Sequence, residues 1–177
     1  MATDDAEVQP SPIHGKGVFA RRPFRAGQLV LPIDDSRVVT DESPLDATRG
    51  EFEYHQDYLD ERVVLMQEPE RYINHGCEPN TYIKTINGVR WVVAYRNIAA
   101  GDEITYDYCI NSYGNKEWEC GCGHPRCRKV HHTDFFKLPR EKLAEYLPLL
   151  DAWFANDPRV SPKVAAAQRA LDRGTRG

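Results

Sequence analysis

A mainly β body with an α-helical C-terminal extension is the fold class this chain predicts, on three observations. Short apolar runs separated by Gly, Pro and Asn-Gly turns occupy most of residues 14 to 110. A cysteine-rich stretch follows, with four of the five cysteines between Cys109 and Cys127. Beyond it the apolar residues recur at helical spacing.

Taken in order, residues 1–12 read as a flexible leader, acidic and closed by two prolines. HGKGVFARRPFRAGQLVLPI reads as strand, turn, strand. From about Asp34 to Pro69 the chain is polar, with a short helix expected around Glu51 to Leu59. TYIKTINGVRWVVAYRNI holds two β-rich runs around Asn87-Gly88, a pair that accepts the positive φ angles of a type I′ turn, so a hairpin is expected. A Gly101-Asp102 turn precedes EITYDYCI, strand-like at its start. In PREKLAEYLPLLDAWFAN, Leu143, Leu147, Leu150 and Phe154 lie at helical spacing and Pro148 can open a second helix. A last helix is predicted from the Ser161 cap and Pro162 through Asp172. The division is leader 1–12, body 13–116, cysteine loop 117–131 and helical extension 132–177.

Bulk properties narrow the partners. A chain of 177 residues suits one core of ordinary size. Its net charge of −4 offers no basic stripe for a phosphate backbone, so a basic partner is easier to accept than nucleic acid. The start, MATDDAEVQP, has no secretory pattern, and no stretch approaches the roughly 20 apolar residues that cross a bilayer. The expectation is an intracellular protein, cytoplasmic or nuclear, not secreted and with no membrane partner.

Two stretches carry chemistry. RYINHGCEPN, residues 71 to 80, sets Asn74, His75 and Cys77 within four positions. Taken alone it fits a polar turn, a satisfied core histidine, part of a zinc site or part of a catalytic pocket. WECGCGHPRCRK holds Cys120, Cys122 and Cys127 as CxCx4C, with Gly121 and Gly123 freeing the backbone to fold around an ion. Three thiolates this close are poor disulfide partners and good zinc ligands, and a structural zinc takes four. His124 and Cys109 are local candidates for the fourth ligand, and Cys77 is the distant one.

Together the motifs resemble those of the SET-domain lysine methyltransferases. RYINHGCEPN is similar to the family's RFINHSCxPN, GDEITYDY at 101 to 108 to its GEELTYDY, GKGVFA at 15 to 20 to its GxG segment, and the cysteine triplet to its post-SET CxCx4C, all in the family's order. The departures are Gly76 for the usual Ser, Lys16 for an aromatic within GxG, LPIDD for EYxGE, EPERYINH for the usual lead-in, and no cysteine-rich pre-SET segment before residue 14.

The resemblance implies several small curved β-sheets with the NHxC and YDY segments threaded in a pseudoknot. It implies S-adenosylmethionine as methyl donor, held by Gly15, Lys16, Gly17, Asn74 and His75; Trp118, just before the cysteine triplet, reads as stacking on the adenine, closing the lysine channel or plain packing. Tyr108 matches the catalytic tyrosine, and Tyr106 the Phe/Tyr switch at which a tyrosine limits the product. Cys77 matches the cysteine that completes the zinc site with Cys120, Cys122 and Cys127. The implied function is mono-methylation of a lysine in an extended basic peptide, such as a histone tail.

Methyl transfer to an amine needs the neutral amine. With a lysine pKa of about 10.4, about one side chain in 2,500 is neutral at pH 7, an effective cost of about 4.6 kcal/mol. An apolar channel and the positive sulfur of the donor lower that pKa, and the remaining work is alignment. The alternative is a non-catalytic SET-like peptide-binding module, which would be marked by loss of Asn74, His75 or Tyr108; all three are present.

Other residues receive plainer readings. Cys109 is expected to be a buried thiol, Asp107 to satisfy turn amides, and His131-His132 to be surface. Lys84, Arg90 and Lys129 read as solvated charges, and Tyr54 and Tyr58 as pocket or core. The C-terminal helices are expected to pack on the body, recruit a partner or form a homodimer face through Leu147, Leu150, Trp153 and Phe154.

Overall fold

The computed structural model describes residues 5–59 and 62–174. Strand β1 (Ala6–Pro10) pairs antiparallel with β2 (Lys16–Ala20), from Ala6 opposite Ala20 to Pro10 opposite Lys16. The leader expectation is corrected here: residues 6–10 belong to the sheet, while 1–4 lie outside the described residues. Pairing satisfies backbone groups that an edge β2 would expose. The leader's acidic residues make ion pairs, Glu7 with Arg21 and Asp5 with Arg22 at 2.8 and 2.7 Å.

Strand β3 (Leu29–Pro32) completes the strand, turn, strand reading. A three-stranded sheet follows, made of β4 (Val38–Val39), β5 (Gln56–Leu59) and β6 (Arg62–Leu65) in the order β4-β6-β5. The helix expected over 51 to 59 is a single 3-10 turn, Glu53–His55, running into β5. Gln56 to Leu59 instead pair with the apolar run of β6. Tertiary pairing overrides a weak local helical preference.

Strand β7 (Asn74–His75) precedes the hairpin of β8 (Thr81–Ile86) and β9 (Val89–Ala94). The hairpin turns at Asn87 and Gly88 with φ of 52° and 80°, as a type I′ turn requires. Strand β10 (Glu103–Tyr106) then inserts between β2 and β8, giving the order β1-β2-β10-β8-β9-β3, with β7 lying parallel to β10. Thr105 faces Asn74 and Tyr106 faces His75, so the NHGC and YDY segments run side by side in the crossing expected of the fold. Under this sheet sits an apolar core that includes Val18, Phe24, Leu31, Val92 and Ile104, all nearly solvent-free.

Hairpin β11 (Tyr113–Glu119) and β12 (Val130–Asp134) carries the cysteine loop between its strands. Three helices follow: α1 (Arg140–Tyr146), α2 (Ala152–Ala155) and α3 (Ser161–Gly174). Pro148 lies in a 3-10 turn, Leu147–Leu149, rather than opening a helix. Asp151 caps α2 instead, and its second carboxylate oxygen accepts from Thr85 N–H and Oγ1–H, stitching the extension to β8.

The extension packs on the body through a second core containing Cys109, Phe135, Tyr146, Leu150, Phe154 and Val160. This corrects the dimer-face expectation: Leu150 and Phe154 are buried within the chain, with Leu147 and Trp153 packed against them. Helix α1 also sends Lys142 Nζ to Glu78, 2.9 Å away, beside Cys77.

The reading of Arg90 as solvated is wrong. It is 3% exposed, with Nε 2.8 Å from Asp35 and Nη1 2.6 Å from Asp57, tying the three-stranded sheet to the main hairpin. Both carboxylates compensate the buried guanidinium. Lys84 likewise donates to the Leu150 carbonyl, whereas Lys129 is exposed.

Candidate functional site

The site grows from the parallel pairing of β7 and β10. Asn74 Nδ2 donates to the Lys16 carbonyl at 2.9 Å and to Glu103 Oε1 at 2.8 Å, with Ser11 Oγ at 3.1 Å. Its amide thereby holds the Gly15-Lys16-Gly17 segment against the crossing. Gly17 fits because nothing larger would: a Cβ there would come within 2.3 Å of Glu103 Oε1 and 2.9 Å of the Ser11 Cβ. The Lys16 ammonium lies 4.7 Å from the Tyr72 ring centroid, a cation–π contact.

His75 is buried beside Asn74. The Tyr108 backbone N–H donates to its Nδ1 at 3.2 Å, which leaves the ring proton on Nε2, 3.3 Å from Cys77 Sγ. Burial lowers the His75 pKa to about 4, so the ring is neutral. Asp107 Oδ1 lies 3.6 Å from Nδ1, too far to compete with the Tyr108 amide.

Strand β10 ends at Tyr106, yet Tyr106 and Tyr108 still meet, with ring centroids 4.9 Å apart. The Tyr108 hydroxyl donates to the Ile73 carbonyl at 2.7 Å. Burial raises both phenol pKa values, Tyr106 well above the ordinary range, so both hydroxyls keep their protons at neutral pH.

The four sulfurs of Cys77, Cys120, Cys122 and Cys127 lie within 4.8 Å of one another, and none forms a disulfide. Neither alternative fourth ligand joins them. His124 Nδ1 accepts the Arg126 N–H at 3.1 Å, and the Cys109 thiol donates to the His132 carbonyl at 2.9 Å. Backbone N–H groups of Arg128 and Lys129 point at Cys77 Sγ and Cys127 Sγ, 3.4 and 3.3 Å away, as donors that stabilise thiolates do. Four clustered sulfurs with amide support fit the donor set of a structural zinc.

His131, read as surface, is fully buried. Its ring lies 4.5 Å from that of His75, 5.6 Å from Tyr108 and 4.3 Å from Trp118. Burial lowers its pKa to about 3, and Nε2 is buried without a hydrogen-bond partner. An orphaned polar atom inside an aromatic cluster that includes His75 fits a heteroaromatic cofactor with polar edges. Trp118 caps this cluster and remains 46% exposed. Tyr54 and Tyr58, 73% and 64% exposed, belong neither to the core nor to these contacts.

Sequence reasoning also passed over Arg128. It binds Asp107 through Nη1 at 2.6 Å and Nη2 at 2.9 Å, a bidentate pair whose carboxylate is fully buried. Asp107 in turn accepts the Cys109 N–H at 3.0 Å, the turn-amide role expected of it. The signal for Arg128 was its place directly after Cys127; for His131 nothing local distinguished it from a surface histidine.

Comparison with known proteins places matching features on this frame. The SET domain family profile matches residues 15–109. A histone-lysine N-methyltransferase of Arabidopsis thaliana, ATX2, is 35% identical over 136 residues, covering 68% of this chain and 12% of that protein. Histone-lysine N-methyltransferase 2B of Homo sapiens is 36% identical over 135 residues, covering 69% of this chain and 5% of that one. A histone-lysine N-methyltransferase of Candida albicans, H3 lysine-36 specific, is 43% identical over 85 residues, covering 44% and 10%. The chain thus spans a small fraction of the curated relatives it matches.

Proposed function

Because the chain belongs to the SET-domain family, we propose that it is a protein-lysine N-methyltransferase that uses S-adenosylmethionine to mono-methylate a lysine in an extended basic peptide such as a histone tail. The observation that carries this is the Tyr108 hydroxyl anchored on the Ile73 carbonyl, its ring against Tyr106 and its amide on His75. The names of the relatives support a histone substrate and with it a nuclear place of action. Among the described residues no helix is long and apolar enough to cross a membrane.

When bound, S-adenosylmethionine supplies a methyl group activated by a positively charged sulfur. Asn74 holds the GKG segment, whose backbone would form one wall of the cofactor seat, and His75, His131 and Trp118 would supply its aromatic side. Tyr108 and Tyr106 wall the channel for the incoming lysine. Their phenols stay protonated, so they act as hydrogen-bond groups and not as bases. The channel favours the neutral amine by desolvating it. The Tyr106 hydroxyl limits the product by holding a water where a second methyl would sit.

Cys77, Cys120, Cys122 and Cys127 would hold a structural Zn2+, cross-linking the NHGC segment to the β11–β12 hairpin.

The test is methyl transfer from labelled S-adenosylmethionine to core histones, wild type beside Tyr108→Phe, with intact-mass readout. Incorporation that collapses in Tyr108→Phe is expected; equal incorporation in both would overturn the role of Tyr108. Tyr106→Phe is expected to shift the product toward di- and tri-methylation, and an unchanged distribution would refute mono-methylation set by Tyr106.

A further inference from the structure

Asp107 lies in sequence between Tyr106 and Tyr108, whose tilted rings have centroids 4.9 Å apart, and is fully buried, although methyl transfer makes no use of its charge. A carboxylate taken out of water at that position is tolerated only with a close partner. Arg128 supplies it, with two contacts at 2.6 and 2.9 Å. Arg128 also touches the cysteine cluster: its N–H lies 3.4 Å from Cys77 Sγ, and its guanidinium lies 3.4 Å from the Cys77 carbonyl and 3.6 Å from Cys109 Sγ.

The other flank of Tyr108 leads to the same place. Its amide donates to His75, whose Nε2–H faces Cys77 Sγ. The tyrosine is therefore tethered on both sides to one cysteine, through Asp107 and Arg128 and through His75. His75, Asp107 and His131 also lie within 4.8 Å of one another, but this trio is poorly placed to take a cation. Arg128 occupies both Asp107 oxygens, and the Tyr108 amide takes His75 Nδ1.

We propose that Arg128 is a positioning residue for Tyr108, through which ordering of the cysteine cluster reaches the reacting groups. The proposal deepens the methyltransferase reading and rests on it for its kinetic consequence, while its structural consequence stands alone. Arg suits the position because its planar fork meets both oxygens of Asp107 at once, which a lysine ammonium does less well.

The full chain is compared with Arg128→Lys, Arg128→Met and the double variant Asp107→Asn/Arg128→Met. The double variant removes both charges, so no buried charge is orphaned. Four quantities are read: metal per chain, affinity for S-adenosylhomocysteine, kcat and KM on core histone, and amide exchange across residues 103 to 112.

With metal retained and both KM and cofactor affinity within about threefold of wild type, kcat is expected to fall about 100-fold in Arg128→Met, as a misplacement of about 1 Å would cause. Arg128→Lys should recover part of that loss. The double variant should stay slow, and exchange over 103 to 112 should rise while β8 and β9 remain protected. A kcat near wild type in Arg128→Met, a loss confined to metal content or KM, or full recovery in the double variant would overturn the proposal. If wild type itself shows no turnover, the methyltransferase reading fails, and the exchange measurement still decides whether Arg128 orders the Tyr108 segment: unchanged exchange would overturn that link.

Discussion

The main sheet and the β11–β12 hairpin are held by different physics. The sheet is closed by apolar burial, with Val18, Val92 and Ile104 at zero exposure. All seven residues of β11 are exposed, and its partner β12 buries chiefly His131. A two-stranded ribbon with so little apolar surface is marginal alone. What fastens it is polar: four cysteine sulfurs placed to hold a metal, the Arg128–Asp107 pair, and the 2.8 Å contact of Arg126 with Glu78. One chain thus carries a region that folds by excluding water and a region that folds by satisfying ligands and charges.

The largest expected effect tests that division directly. Chelation should strip the hairpin of up to about 10 kcal/mol of ordering free energy and leave the main sheet in place. Hydrogen exchange would then rise over residues 113–134 and stay low over β8 and β9. A single cooperative loss of both would show that the two regions are not separate.

The converse is Ile104→Ala, which hollows the apolar region. It should cost about 2–5 kcal/mol in global unfolding, measured by urea titration, without changing metal stoichiometry.

The smallest effect is in acid. The folded pKa of His131 is lowered to about 3, while the unfolded chain titrates near 6.5. Between those values the unfolded state binds the extra proton, so the neutral buried ring contributes its full stability above about pH 6.5 and loses it as pH falls toward 3. The melting temperature should therefore drop more steeply in wild type than in His131→Leu across that window, and parallel curves would remove His131 from the account.

The same contrast explains how much was readable beforehand. The apolar region writes its periodicity and turns into neighbouring residues, so β2, β3, the Asn87-Gly88 hairpin and the start of β10 were visible from local pattern. The cysteine cluster was visible as chemistry, through CxCx4C and the resemblance that brought in Cys77. Polar fastening leaves no local period. Arg90 looked solvated because Asp35 and Asp57 are distant in sequence, and Arg128 and His131 looked ordinary because their partners lie in YDY and NHGC. The leader was misread for a related reason: Ala6 to Pro10 become a strand only because β2 offers an edge.

Gly76 lies at the crossing with no room above it: a Cβ there would approach Thr105 Oγ1 to 2.9 Å and its Cβ to 3.2 Å. The two positions therefore form a lock in sequence space. A serine at 76 would require the Thr105 hydroxyl to rotate aside or the threonine to shrink. Thr105→Ala opens the path to Gly76→Ser, and the reverse order passes through a crowded intermediate. The dependence is one-sided: Gly76→Ser is the step whose cost is set by the state of residue 105.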